Sequence, residues 1–184
     1  SYSDLDNISE GVELLLENLN NKKRTTLIVD PDVDGITSSA ILYNYLKDAF
    51  GDISNITPIS HSGKGHGLSN DINVPEDTEF LIIPDAGSND YGEIERYHKK
   101  GIDILILDHH LVDNGYSKDA VVINNQLSEK YTNKDFSGVG VVYRFLQALD
   151  DRLMLNNADK YLDLVAIGLV ADVMDTHSPE TRYY

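Results

Sequence analysis

Residues 25–39, TTLIVDPDVDGITSS, decide how the rest of the chain is read. A short β-branched and apolar run, Thr26-Leu27-Ile28-Val29, ends in carboxylates on alternate residues, Asp30, Asp32 and Asp34. Gly35 then turns the chain into a helical pattern. Three like charges crowded at a strand tip repel one another and cost free energy unless a cation or a proton sits among them. The pattern asks for a metal.

Outward from that stretch, strand and helix alternate. On the N-terminal side Leu5, Ile8, Val12, Leu15, Leu16 and Leu19 recur at intervals of three and four, which predicts an amphipathic helix. Lys22-Lys23-Arg24 reads as cations closing that helix at the negative end of its dipole, rather than as a nucleic-acid patch. On the C-terminal side Ile41, Leu42, Tyr45, Leu46 and Ala49 predict a second helix stopped near Gly51, and residues 55–59 a second, weaker strand. Residues 79–83 form a third strand that also ends in an acid, Asp85, before Gly87. A helix over 91–100 is closed by Gly101. The fourth strand, 102–107, ends in Asp108-His109-His110, and residues 120–123 are a fifth apolar run. Ser137-Gly138-Val139-Gly140-Val141 opens a helix through Leu149, and a last helix over 158–170 delivers Asp172 and Asp175. The strands mostly lack polar alternation, as strands do when helices bury both faces of a parallel sheet, so the fold class is α/β. In such sheets ligands sit beyond the carboxyl ends of the strands. Three acid-bearing tips on one edge would converge on a single pocket.

Composition narrows what that pocket serves. The chain has 184 residues, enough for about one domain with a genuine core. Its formal net charge of -16 repels polyanions over the surface as a whole, so an extended nucleic-acid track is not expected. A local metal-filled pocket could still attract phosphate. The absence of cysteine removes disulfides, thiolate zinc sites and a cysteine nucleophile, and fits a cytoplasmic chain. No apolar run approaches the roughly 18 residues of a membrane helix, and the N-terminus has no signal pattern. The chain opens at Ser1 and stops at Tyr184, which suggests an excised piece of a longer protein.

Carboxylates with one or two imidazoles suit Mn²⁺ or Mg²⁺ better than structural zinc. Acids on separate tips can hold two ions roughly 3.5–4 Å apart, and Asp85, arriving centrally, is the natural bridging carboxylate. Other readings are weaker. Residues 30–35 also match the start of an EF-hand loop, but position twelve would be Ile41 where a bidentate glutamate is needed. Asp32-Val33-Asp34-Gly35 after an apolar strand also looks like the nucleophile loop of haloacid-dehalogenase-type phosphatases, yet that leaves Asp108-His109-His110 unexplained. Alone, Asp85 would be a turn residue and Asp172 a helix cap. The loop His61-Ser62-Gly63-Lys64-Gly65-His66-Gly67 is first a glycine-rich connection, and secondarily a phosphate contact through Lys64 and His66.

Asp30-x-Asp32-x-Asp34-Gly35, a lone Asp85, Asp108-His109-His110 and Asp172, in that order, resemble the four motifs of the DHH phosphoesterase superfamily. Gly65-His66-Gly67-Leu68, Ser137-Gly138-Val139-Gly140-Val141 and Gly168-Leu169-Val170-Ala171-Asp172-Val173 make the chain most similar to its RecJ-like branch of single-strand-specific DNA exonucleases, from Thr25 onward. The resemblance implies a parallel five-stranded sheet and two Mn²⁺ or Mg²⁺ ions. Asp32 and Asp85 would bind the first, with Asp30 close by, and Asp34, Asp85, His109 and Asp172 the second. His110 would face the scissile phosphate and Asp108 would orient the histidine pair. The implied activity is hydrolysis of single-stranded DNA, 5′ to 3′, in repair and recombination. Within the superfamily the alternatives are short oligonucleotides, cyclic dinucleotides, phosphoadenosine phosphate or pyrophosphate, and outside catalysis a metal-free scaffold. Ile28 stands where many superfamily phosphatases carry a histidine, as in RecJ-like members. Relatives also carry a C-terminal domain that closes over substrate. No room for it is expected after Asp172, so residues 1–184 read as the metal-bearing domain alone, an N-terminal helix and basic segment over 1–24 leading into the core over 25–184.

Overall fold

The computed structural model describes residues 1–63, 65–69 and 72–184. Five strands, β1 (Thr25–Val29), β2 (Ile56–Ser60), β3 (Phe80–Pro84), β4 (Asp103–Asp108) and β5 (Val121–Asn124), pair in parallel in the order β2-β1-β3-β4-β5. β3 is buried at every position because helices cover both of its faces. Phe80 and Ile82 point into one layer and Leu81 and Ile83 into the other, as the two-residue repeat of a strand requires. Each fully buried side chain of this kind contributes about 1.5–3 kcal/mol.

The larger layer packs α1 (Ile8–Asn20), α2 (Val33–Phe50), α4 (Gly138–Leu153) and α5 (Leu162–Ala171) on the sheet through Leu15, Tyr45, Phe145 and Val165. The smaller layer is built by α3 (Tyr91–His98), through Ile94 and Tyr97, together with Leu68 and Ile72. Ile28 belongs to that second layer and is buried. A short α6 (Pro179–Tyr183) follows the centre described below. β2 is one of the two edge strands, exposed at several positions and carrying Pro58, which an edge strand tolerates. Among the described residues no helix is long and apolar enough to cross a membrane.

Several local expectations shift. The first α-helix starts at Ile8 rather than Leu5, because Asn7 adopts a left-handed conformation (φ 62°) that breaks it from a preceding 3-10 turn over Tyr2–Asp4. α2 begins before Gly35: Asp32 is its N-cap, its carboxylate accepting the Gly35 N–H at 2.8 Å. The last predicted helix divides into a 3-10 turn, Ala158–Tyr161, and α5, the turn being fixed by Asp150, which accepts the Asn157 and Ala158 N–H groups. The basic segment closes α1 through its backbone, the Lys22 and Lys23 N–H groups donating to the Leu19 and Asn18 carbonyls at 3.0 and 3.1 Å with Lys22 left-handed (φ 54°), while its side chains turn elsewhere. Lys22 pairs with Asp52 at 3.3 Å, Lys23 with Asp103 at 2.7 Å, and Arg24 with Asp77 at 3.4 Å and Glu79 at 3.8 Å. These acids lie around the amino ends of the strands, so solvent-facing ion pairs hold the cations instead.

The strand order places the ligand site. The chain passes from β1 to β2 on one side and returns to β3 on the other, so β1 and β3 flank a topological switch, with a crevice beyond their carboxyl ends. Asp30 follows β1 and Asp85 follows β3.

Candidate metal centre

The first motif spreads its three carboxylates over three environments. Asp30 is buried and faces the loop after β2, its Oδ1 accepting the Gly67 N–H at 3.0 Å and its Oδ2 lying 2.5 Å from His66 Nδ1. Asp32 caps α2 from an exposed position. Asp34, in the first turn of α2, is buried and accepts the N–H groups of Gly138 and Val139 at 2.7 and 3.0 Å. It thereby caps α4, whose own N-cap Ser137 makes no side-chain cap bond. The positive end of that helix stabilises the carboxylate.

Asp85 arrives from β3 in a left-handed conformation (φ 66°), which is uncommon for a residue other than glycine and stores strain. Its approach to α4 is so close that a Cβ on Gly138 would lie 2.0 Å from Asp85 Oδ1. His109, just past β4, brings its Nε2 to 3.3 Å from Asp85 Oδ1, 3.6 Å from Asp172 Oδ2 and 3.8 Å from Asp34 Oδ2. Asp172 can reach this point because α5 presses on α2 at Gly168, where a Cβ would meet Thr37 Oγ1 at 2.6 Å and Asp34 Oδ1 at 2.7 Å. Burial, and then the negative charge of Asp34, push the Asp85 carboxyl up to about 11. Burial also raises that of Asp172, against the opposing pull of His109.

Whether these residues fit a cation is decided by their unmet valence. Asp85 Oδ1 and Asp172 Oδ2 are buried oxygens with no hydrogen-bond partner. Among the described residues the cleft lined by Asp32, His109 and His110 has no lysine or arginine in its lining. Hard oxygens with an imidazole match Mn²⁺ or Mg²⁺, and a divalent ion would satisfy both oxygens at once. Ligand atoms of Asp34, His109 and Asp172 lie within 4.8 Å of one another, as do those of Asp85, His109 and His110, and those of Asp30, Asp32 and His66.

Behind His109 and His110 stands Asp108. It is buried and accepts the backbone N–H groups of Ser88, His109 and His110 at 2.9, 2.7 and 3.1 Å, and its Oδ1 lies 2.8 Å from His110 Nδ1. Burial alone would raise its carboxyl, but the bonds from His110 and Ser88 hold it down to about 2. The same bond to Asp108 raises the His110 imidazole and favours its charged form. His110 opens on a cleft of roughly 650 Å³ shared with Asp32, His66, Ser88, Leu111 and Gln126.

Of the predicted residues, Asp30, Asp32, Asp34, Asp85, Asp108, His109, His110 and Asp172 gather at this rim. His66 also lies there, but against Asp30. Lys64 lies outside the described residues. Asp175, delivered by the same helix end as Asp172, turns away to bond with His177. The sequence motifs do not mark Ser88 or Asn124. The Asn124 side chain donates to Ser88 Oγ and to the His110 carbonyl, both at 3.0 Å, tying the tip of β5 to the loops after β3 and β4. An amide pair, Asn124-Asn125, ending an apolar run at the same edge as the acids is the signal that could have found it.

The chain is similar to known proteins of one family. The sequence profile of the DHH family, N-terminal domain, matches residues 25–169. The chain is 44% identical over 183 residues to an SPbeta prophage-derived single-strand DNA-specific exonuclease, YorK, of Bacillus subtilis, covering 100% of this chain and 31% of that protein. It is 32% identical over 176 residues to the single-stranded-DNA-specific exonuclease RecJ of Thermus thermophilus, covering 92% of this chain and 25% of that one. The crystal structure of T. thermophilus RecJ in complex with Mn²⁺ superimposes with a TM-score of 0.77 at 27% identity, over 94% of this chain and 25% of that chain. The chain thus spans under a third of the length of these relatives.

Proposed function

This chain belongs to the DHH family, and on that premise we propose that it is the metal-bearing domain of a nuclease that hydrolyses phosphodiester bonds in single-stranded DNA, 5′ to 3′. The observation that carries the reading is the convergence of Asp34, Asp85 and Asp172 on His109 Nε2, with two buried carboxylate oxygens left without a partner. Asp34, Asp85, His109 and Asp172 would hold one divalent cation, and Asp32 and Asp85 a second. When bound, the pair of ions would polarise the phosphoryl oxygens, acidify a water and stabilise the leaving 3′ oxygen.

The chain's own residues do the rest. Asp108 fixes His110 with Nδ1 toward its carboxylate and favours the charged form of the imidazole, which lines the cleft where a phosphate would lie. Asp34, stabilised by the α4 N-terminus, remains in place as a ligand. Asn124 and Ser88 hold the loop that carries His110. Because the described lining of the cleft offers no lysine or arginine, the grip on a long strand is assigned to a domain C-terminal to this one. A nuclease of this kind, free of cysteine and acting on DNA in repair and recombination, works in the cytoplasm.

The test is degradation of 5′-labelled and 3′-labelled single strands by the intact protein with Mn²⁺ and with EDTA, alongside Asp85→Ala. Loss of Mn²⁺-dependent cleavage in the variant with an unchanged circular dichroism spectrum is expected. Full activity in that variant would overturn the reading. Faster turnover of dinucleotides or pyrophosphate than of long strands would transfer it to small substrates.

A further inference from the structure

Resting on the two-cation reading, we infer that His66 supplies an imidazole nitrogen to the ion held by Asp32, with Asp30 as its orienting carboxylate. His66 lies far along the chain from the first motif, yet a ligand atom from each of Asp30, Asp32 and His66 lies within 4.8 Å of the others. The three differ in what they have left to offer. Asp30 is 2% exposed and both of its oxygens are engaged, one by the Gly67 N–H at 3.0 Å and one by His66 Nδ1 at 2.5 Å. It therefore acts from behind. Asp32 gives Oδ1 to the α2 cap and keeps Oδ2.

Contact with a buried carboxylate places the proton of a neutral His66 on Nδ1, which makes Nε2 the nitrogen with a free lone pair. The side chain is 64% exposed and lines the same cleft as Asp32, His109 and His110, so its outer edge is presented to the space where the ions belong. A carboxylate bonded to the far nitrogen of an imidazole is the usual support of a metal-binding histidine, because it fixes the tautomer and raises ligand basicity. The arrangement repeats, in the same cleft, the support that Asp108 gives His110. Asp30 is thus a positioning residue.

The experiment is calorimetric titration of the intact protein with Mn²⁺, paired with electron spin echo detection of nitrogen coupled to Mn²⁺, on the unaltered protein, His66→Gln, Asp30→Asn and His109→Gln. His66→Gln is expected to weaken one of two Mn²⁺ sites by about ten- to a hundred-fold, the scale on which lost ligand support is felt, and to remove one class of coupled nitrogen. Asp30→Asn, which keeps the imidazole and removes its acceptor, should weaken the same site less. His109→Gln should weaken the other. Two Mn²⁺ sites of unaltered affinity and unaltered nitrogen coupling in His66→Gln would overturn the inference while leaving the two-cation reading intact, as would a raised KM for single-stranded DNA with unchanged Mn²⁺ binding. If the unaltered protein took up no Mn²⁺, the two-cation reading would fall and this inference with it.

Discussion

The two ends of the sheet carry acids in opposite company. At the amino ends of the strands Asp52, Asp77, Glu79 and Asp103 each face a lysine or arginine within 4.0 Å, on open surface. At the carboxyl ends Asp34, Asp85 and Asp172 crowd around the imidazole of His109, partly or wholly buried, and the described lining of the cleft that His109 borders supplies no lysine or arginine. Acids at the first end are neutralised by the chain itself. Those at the second are held in a costly arrangement by the rest of the fold, which is the condition of a site shaped for a charge from outside. The contrast predicts that substitutions at the two ends differ in kind as well as in size.

The largest effect belongs to Asp85. Asp85→Asn should lower Mn²⁺-dependent cleavage by the intact protein more than about a hundred-fold, beyond what loss of a mere supporting group costs. In the metal-free protein the same change should raise stability, by about 1 kcal/mol, since asparagine tolerates φ 66° and removes a carboxyl that burial and Asp34 disfavour as an anion. Urea unfolding in EDTA together with a cleavage assay checks both halves. A variant both inactive and less stable without metal would place Asp85 among the structural acids and erase the contrast.

Metal removal comes next. If the rim is completed by cations, Mn²⁺ at about a hundred times its Kd should stabilise the protein by about 2.7 kcal/mol over EDTA. For a chain of this size that is roughly 5–10 °C in Tm. Scanning calorimetry with and without EDTA reads the shift directly, and no shift would mean that the rim acids need no ion.

Gly138→Ala tests the packing that brings the acids together. The added Cβ would meet Asp85 at Oδ1, Cγ and Cβ, at 2.0, 2.6 and 2.7 Å, so the side chain cannot simply swing aside. Overpacking of this kind costs about 1–3 kcal/mol. Because Gly138 also donates to Asp34, Mn²⁺ affinity should fall together with stability, a pairing not expected at the other end of the sheet. Denaturant unfolding and Mn²⁺ titration of the same variant measure the two.

Much of this contrast is legible in the amino-acid sequence. Apolar runs without polar alternation imply the parallel sheet, and acids at their ends imply the rim, because both follow from local rules of periodicity and like-charge repulsion. Chain-distant contacts are not legible in that way. Nothing local says that Asp34 caps α4 across more than a hundred residues, that Gly138 is the notch for Asp85, or that Asn124 steadies His110. The basic segment is legible only in part: a helix end explains the backbone turn at Lys22 and Lys23, whereas the acids that pair with the side chains of Lys22, Lys23 and Arg24 come from elsewhere along the chain. His66 reads as a loop residue or a phosphate contact and not as a partner of Asp30, which precedes it by 36 positions.

The smallest effect should come from the amino end. Lys23 Nζ lies 2.7 Å from Asp103 Oδ2, with the two side chains 32% and 39% exposed, so solvent screens the pair and Lys23→Met should cost no more than about 1 kcal/mol. The hydrogen bond to Asp103 raises the Lys23 pKa. A raised folded value means that the contribution is fully present below the ordinary lysine range and is lost as pH rises through the raised one. The stability difference between Lys23→Met and the unaltered protein should therefore shrink in strongly alkaline buffer, and also in 1 M salt, where screening acts within about 3 Å. Mn²⁺ affinity should not move, because the ion pair stands at the opposite end of the strands from the acids that await a cation. A Lys23→Met variant that lost Mn²⁺ binding would show the two ends coupled through the sheet, and the division drawn between them would fail.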